Sequence, residues 1–144
     1  MGTKSNIDQL NSFLRGEMAA VETYQMAIDK LDAASTARDE LLVNLKSHQD
    51  RVMMLQEVLT ALGGTPAKSS GPWGTFAKVV EGTAKTLGDK MAVSALEEGE
   101  DHGLKDYKTD IDKLDPHCRS IVAQLLPQQQ LTHDRLSALK RRIH

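Results

Sequence analysis

The sequence has few aromatic residues, one cysteine and no long apolar run. Aromatic side chains make up 3% of its 144 residues, and because β-sheets draw on aromatic and β-branched residues, we expect an all-α chain. Cys118 is the sole cysteine, which excludes an intramolecular disulfide and a zinc site built on cysteines. The longest apolar runs are far too short to span a bilayer, and the first residues lack the apolar core of a signal peptide. We expect a soluble, cytoplasmic protein.

Neither sign of charge dominates. The 18 Lys and Arg residues against 20 Asp and Glu residues give a formal net charge of −2, so no net field attracts nucleic acid or an anionic membrane. We therefore expect neither as a partner, while a homodimer or another protein partner stays open. The chain has no glycine-rich phosphate loop and no base and oxyanion site around Cys118. The sequence favours a non-enzymatic role.

What the sequence does have is helical periodicity. Apolar residues recur at alternating spacings of three and four, which is typical of helices that pack along one face. The motif LGGTP combines glycines with a proline and predicts the end of the second helix. The predicted elements are helix A (5–31), helix B (36–62), a short helix (73–87), helix C (89–114) and helix D (from 116 nearly to the C-terminus).

The two halves of the sequence repeat. Residues 16–33 and 99–116 are identical at eight of 18 positions when the sequence is shifted by 83 residues. Two repeated helical hairpins joined by a long connection predict a four-helix bundle in which helices B and C run parallel. We expect one domain, with a first hairpin over about 5–63, a crossover over 64–88 and a second hairpin over about 89–143.

Each predicted helix interrupts its apolar stripe once with a polar residue. Glu17 and its repeat counterpart Glu100 do so in helices A and C, and His48 and His133 do so in helices B and D. Each lies 14 to 17 residues from its hairpin turn, so all four are expected at about the same height. Two close carboxylates need a proton or a cation between them, and carboxylate with imidazole suits iron, manganese or zinc. The pattern predicts a core site for one divalent ion.

This arrangement resembles the ferritin-like superfamily, whose members hold two iron or manganese ions. More narrowly, LGGTP, EEGEDHGLKDY (97–107) and THDRLSALK (132–140) resemble an uncharacterised bacterial branch of that superfamily, a domain of unknown function. The resemblance covers most of the chain. It implies the ferritin-like four-helix bundle with a long crossover, and a metal centre at the four polar residues.

The sequence departs from the superfamily pattern at two positions. Ferritin-like sites carry a glutamate three residues before each histidine, whereas this sequence has Leu45 and Gln130 there. Two carboxylates remain, and they balance one divalent ion rather than two. Glu97, one turn before Glu100, and Gln130 are the additional candidate ligands. A di-iron oxidase is therefore not favoured.

Two interpretations of the polar layer stay open. In the first, its two glutamates and two histidines bind one iron, manganese or zinc ion, with weak oxidative or storage chemistry. In the second, the metal site has degenerated, and the same side chains form a buried hydrogen-bonded network that fixes helix register in an interaction or stress-related module. Gly16 and Gly99 directly precede the two glutamates, although a mid-helix glycine costs about 1 kcal/mol relative to alanine. This repeated glycine indicates the close approach of a helix or of a bound group.

Overall fold

The computed structural model of the chain describes residues 2–31, 35–71 and 88–143. Within these residues the structure is helical and contains no strand, which confirms the predicted all-α class. The predicted short helix at 73–87 lies outside the described residues. The elements are α1 (Thr3–Lys30), α2 (Arg38–Ala61), α3 (Asp89–Asp110), a 3₁₀ turn (Ile111–Lys113), α4 (Pro116–Val122) and α5 (Leu126–Ile143).

Two apolar clusters form the core at different heights of the bundle. The upper cluster joins the second half of α1 to the starts of α2 and α3 and the end of α5. The lower cluster joins the first half of α1 to the ends of α2 and α3 and to α4. Because α2 and α3 both pass from the upper to the lower cluster, they run parallel, as predicted. Members of the upper cluster include Tyr24, Ile28, Leu41, Val93 and Leu136, and members of the lower cluster include Leu10, Leu14, Leu59, Tyr107 and Leu114.

Helix α2 ends in a Schellman motif made by two glycines. Gly63 has a φ of +80°, and its N–H donates to the Thr60 carbonyl at 3.0 Å. The N–H of Gly64 donates to the Leu59 carbonyl at 2.9 Å, which completes the motif. A Cβ on Gly64 would lie 3.0 Å from Ile7 Cγ2, so the chain leaves the helix in tight contact with α1. The predicted stop at LGGTP is therefore where the helix ends.

Gly63→Ala is expected to lower the free energy of unfolding by about 1–2 kcal/mol, because a residue with a Cβ is strained in the left-handed conformation. Urea unfolding followed by circular dichroism measures the change. Gly16→Ala is the matched control: within α1, a Cβ at Gly16 meets no described atom within 4 Å, so this change should raise stability by up to about 1 kcal/mol. Equal effects of the two substitutions would contradict the assignment.

The corner of the second hairpin is tied to the start of α1. Asp115 caps α4 by accepting a hydrogen bond from the Cys118 N–H at 2.9 Å, and Pro116 occupies the first helical position. Asn6 donates to the other Asp115 carboxylate oxygen at 2.7 Å and accepts from the Asp115 N–H at 3.1 Å. These bonds join the two hairpins at the lower end of the bundle.

The prediction of one continuous helix D is wrong. The chain makes a turn at residues 123–125 between α4 and α5. Pro127 has no N–H, and its ring would clash with the carbonyl group four residues earlier in a continuous helix. The turn uses a shorter-range bond instead, from the Leu125 N–H to the Val122 carbonyl at 2.8 Å. The buried positions of α5 therefore have to be assigned from the start of α5 and not from the start of α4.

Candidate functional site

Three of the predicted site residues meet between the upper and lower clusters. Glu17 on α1, His48 on α2 and Glu100 on α3 are all buried. Nδ1 of His48 lies 2.8 Å from Glu17 Oε2, and Nε2 lies 2.7 Å from Glu100 Oε1. One imidazole ring therefore bridges carboxylates from two other helices.

The two contacts determine the charge of His48. A neutral imidazole carries one N–H and donates to one carboxylate, whereas an imidazolium donates to both. Burial disfavours the charged ring, but the carboxylates of Glu100 and Glu17 outweigh burial and raise the pKa of His48. Below about pH 6.5 His48 is therefore a cation, the first in the layer.

Arg51 is the second cation, and the sequence-based prediction did not include it. Its side chain is fully buried, at 0% exposure, one turn after His48 on α2. Nη1 donates to Glu17 Oε1 at 3.2 Å and to the side-chain oxygen of Gln129, and Nη2 donates to Thr132 Oγ1 at 3.1 Å. Burial alone would raise the pKa of Glu17, but the charges of Arg51 and His48 outweigh it and lower this pKa. Glu17 is therefore ionised.

The charges of these four side chains cancel. The two carboxylates contribute −2, and the imidazolium and the guanidinium contribute +2. One like-charge contact opposes the arrangement, since Arg51 Nη2 lies 3.3 Å from His48 Nε2. Burial and this guanidinium both lower the pKa of His48, and the two carboxylates outweigh them. The layer is an internally neutralised network.

Two tyrosines complete the layer and follow the sequence repeat. Tyr107 donates to Glu17 Oε1 at 3.0 Å. Its repeat counterpart Tyr24 accepts a hydrogen bond from Asn44 at 3.0 Å. Burial, followed by the charge of Glu17 for Tyr107 and of Glu100 for Tyr24, raises the pKa of both hydroxyls. Both tyrosines therefore keep their protons and serve as hydrogen-bonding groups.

His133 lies outside the layer, so its predicted position among the ligands is wrong. It lies on the outer face of α5, where its ring contacts the carboxylates of Asp101 and Asp134. The additional candidates are also placed elsewhere: Gln130 donates to Asp134 at 2.9 Å, and Glu97 accepts a hydrogen bond from a lysine of α5 at 3.0 Å. The physical reason is the turn before α5, which shifts the inward-facing positions by one residue, so that Thr132 rather than His133 faces the core.

On α5 the layer consists of Gln129 and Thr132. The buried positions of α2 and of the second hairpin share the same three-four spacing, so these two residues correspond to His48 and Arg51. The amide nitrogen of Gln129 donates to the main-chain carbonyl of Glu100 at 3.0 Å. When the three-four spacing is counted from Pro127, in the first turn of α5, rather than from residue 116, the sequence places Gln129 and Thr132 on the inward face. The buried positions are Leu41, Asn44, His48, Arg51 and Leu55 in α2, and Val122, Leu125, Gln129, Thr132 and Leu136 in the second hairpin.

The layer does not fit a divalent ion in its present arrangement. Both nitrogens of His48 are directed at carboxylates, and the guanidinium of Arg51 already contacts Glu17. Among the described residues, no three or more His, Cys, Asp or Glu side chains are grouped so as to hold a metal ion. A metal would have to displace the guanidinium and replace a proton of His48, because ligating imidazole is neutral.

Comparisons with known proteins agree with this architecture. Residues 5–113 match the family model described as "Domain of unknown function (DUF2383)". The chain belongs to this family. It is also similar in structure to "ferritin like, diiron-carboxylate proteins from Bacillus anthracis str. Ames", with a TM-score of 0.75 and 17% sequence identity over 97% of this chain and 99% of that chain. At this identity the likeness shows the fold alone, the predicted ferritin-like helical bundle. No curated protein matches the chain.

The DUF2383 match covers part of the polar layer. It includes the four charged side chains of the network and ends before α4, so the two members on α5 lie outside it. Among the described helices of this DUF2383 protein, none combines the length and the apolar character needed to cross a membrane.

Proposed function

We propose that this protein is a metal-free, non-enzymatic helical interaction module in which an internal ion-pair network has replaced a ferritin-like metal site. One observation carries the proposal: the fully buried guanidinium of Arg51 contacts Glu17 and borders His48. Two cations of the chain thus supply the positive charge that one divalent ion supplies in a two-carboxylate site. The charged layer fixes the register of the helices, because a slip by one turn would move an unpaired charge into an apolar cluster.

Metal content and metal-dependent stability test this proposal. Protein purified without added metal is expected to carry less than about a tenth of an equivalent of iron, manganese or zinc. Its melting temperature is expected to stay constant when each ion is added, because only a ligand that binds the folded state raises it. Stoichiometric metal in the purified protein, or a clear rise in its melting temperature, would overturn the proposal.

A double variant provides the matched comparison. Arg51→Met/Gln129→His removes the guanidinium and offers a second imidazole from α5, so zinc should raise the melting temperature of this variant and leave that of the unaltered protein unchanged. If the variant does not fold, the titration of the unaltered protein still decides the question.

Binding of one divalent ion is a second candidate function, favoured by a different observation. Glu100 Oε2 is buried and makes no hydrogen bond of normal geometry among the described residues, and a bound ion is one explanation for such an atom. Glu17, His48 and Glu100 would be the ligands. Because His48 would have to lose a proton, zinc binding that appears at about pH 8 and is absent at about pH 6 would support this second function.

A further inference from the structure

A cleft between α1 and α3 leads to the charged layer. Its volume is about 90 Å³, which at roughly 10–15 Å³ per water has room for about six to nine waters or for a small organic molecule. Small residues line it, Gly16 and Ala20 on α1 and Gly99 and Gly103 on α3, and a Cβ at Gly103 would lie 2.8 Å from Nε2 of Gln129. A Cβ at Gly16 would meet no described atom within 4 Å. Gly16 therefore leaves open space rather than allowing a close helix contact.

Aromatic and aliphatic side chains supply the apolar part of this α1–α3 cleft. Phe13 and Tyr24 line it from α1, and Leu96 and Tyr107 line it from α3. The rings of Phe13 and Tyr107 stack with centroids 4.7 Å apart, so the two rings form one apolar surface. Such a surface accepts a short alkyl chain, since burying apolar area is favourable.

The ionisable side chains of the cleft are mostly acidic. No Lys or Arg occurs among the described lining residues. Asp110 has a partner outside the cleft, Lys113, at 3.1 Å. Burial and then the charge of Asp110 raise the pKa of Asp106, so a cation bound beside Asp106 would reverse this shift. The carboxylate and histidine side chains among the described lining residues are Glu17, His48, Glu100, His102, Asp106 and Asp110.

One buried oxygen of this lining lacks a hydrogen bond of normal geometry. Glu100 is 3% exposed, and its Oε1 accepts a hydrogen bond from His48 at 2.7 Å. Its Oε2 makes no hydrogen bond of normal geometry within residues 2–31, 35–71 and 88–143, although the Tyr24 hydroxyl interacts with this carboxylate. Because a buried carboxylate oxygen loses the hydration that it had in water, a donor brought by a ligand would compensate this loss.

We infer that the α1–α3 cleft binds a small organic cation, a protonated primary amine with a short alkyl chain, whose ammonium group donates to Glu100 Oε2. An ammonium carries three donors and no acceptor, which suits a lining rich in carboxylates. The alkyl chain packs against Phe13 and Tyr107. A neutral alcohol of the same size makes the same apolar contacts without the charge-assisted hydrogen bond.

A pair of matched probes tests this inference. Amide NMR spectra of ¹⁵N-labelled protein are recorded in buffer containing EDTA, which removes divalent ions, during titration with n-butylammonium or with 1-butanol. We expect saturable shifts of the Gly16 and Gly103 amides with butylammonium, and at least about tenfold weaker binding of 1-butanol. Equal binding of the two probes, or shifts that never saturate, would overturn the inference.

Variants then locate the binding site. Gly16→Leu fills the cleft and should abolish the saturable shifts, and Glu100→Gln should reduce butylammonium binding to the level of 1-butanol. Asp106→Asn should weaken binding about threefold, whereas Asp50→Asn, an exposed carboxylate on α2, should have no effect. If Glu100→Gln does not fold, the Gly16→Leu variant and the amine-alcohol comparison remain decisive. Retained butylammonium binding in Gly16→Leu would exclude this cleft as the site.

Discussion

Arg51→Met is expected to lower the free energy of unfolding by about 3–5 kcal/mol, the range for removal of one partner from a buried ion pair. The guanidinium is fully buried, and its loss leaves the layer with two carboxylates and one imidazolium, a net charge of −1. Gln129 and Thr132 also lose their donor. Chemical unfolding followed by circular dichroism measures the effect.

An exposed ion pair on the same helix is the matched control for Arg51. Lys46 pairs with Asp50 at 2.5 Å, and the lysine side chain is 71% exposed. Lys46→Met should therefore change stability by less than about 0.5 kcal/mol. The double variant Arg51→Met/Glu17→Gln should lose less free energy of unfolding than the two single variants lose together, because it restores the charge balance. Similarly small losses of stability for Arg51→Met and Lys46→Met would show that the network does not stabilise the folded protein.

The second large effect is that stability should depend on pH. The free energy of unfolding should be highest between about pH 4.5 and about pH 6.5. The pKa of His48 is raised above 6.5 in the folded protein, so its contribution is complete below pH 6.5 and is lost as pH rises through the folded pKa. The pKa of Glu17 is lowered from 4.5, so its contribution is complete above pH 4.5 and is lost as pH falls through the folded pKa. Each pKa unit corresponds to about 1.4 kcal/mol.

Unfolding experiments over this pH range, with two histidine variants, separate the contributions. His48→Gln should remove most of the alkaline loss. For His133, burial is outweighed by the hydrogen bonds to Asp134 and Asp101, which raise its pKa, but the side chains of these two aspartates are 60% and 59% exposed. His133→Asn should therefore leave most of the alkaline loss in place. If His48→Gln does not fold, imidazole ¹⁵N shifts of the unaltered protein decide the question, and a neutral His48 ring at about pH 6 would contradict the network.

Much of the fold was predictable because it follows from periodicity and from the repeat. The three-four spacing locates α1 and α2 to within about two residues, the usual uncertainty of helix ends. The repeat of residues 16–33 at 99–116 implies two hairpins, and the long interval between them implies a parallel α2 and α3. The prediction of a continuous helix D rests on DP at 115–116 alone, and it omits the break before α5 that Pro127 signals.

The site was only partly predictable, for reasons visible in α2. Glu17, His48 and Glu100 stand out because each interrupts an apolar stripe. Arg51 does not, since Leu45 and Val52 suggest a stripe one position away from the buried one, and both are partly buried beside the core. An arginine is also rarely buried without a partner, and that partner, a glutamate on another helix, appears only in three dimensions.

The covalent attachment of the guanidinium to α2 has a further consequence. A free metal ion occupies its ligands in proportion to its concentration, and a chelator removes it. Arg51 is attached one turn from His48, and its effective concentration beside Glu17 is set by the helix rather than by the solution. The positive charge that balances Glu17 is therefore part of the chain, so neither dilution nor a chelator can remove it.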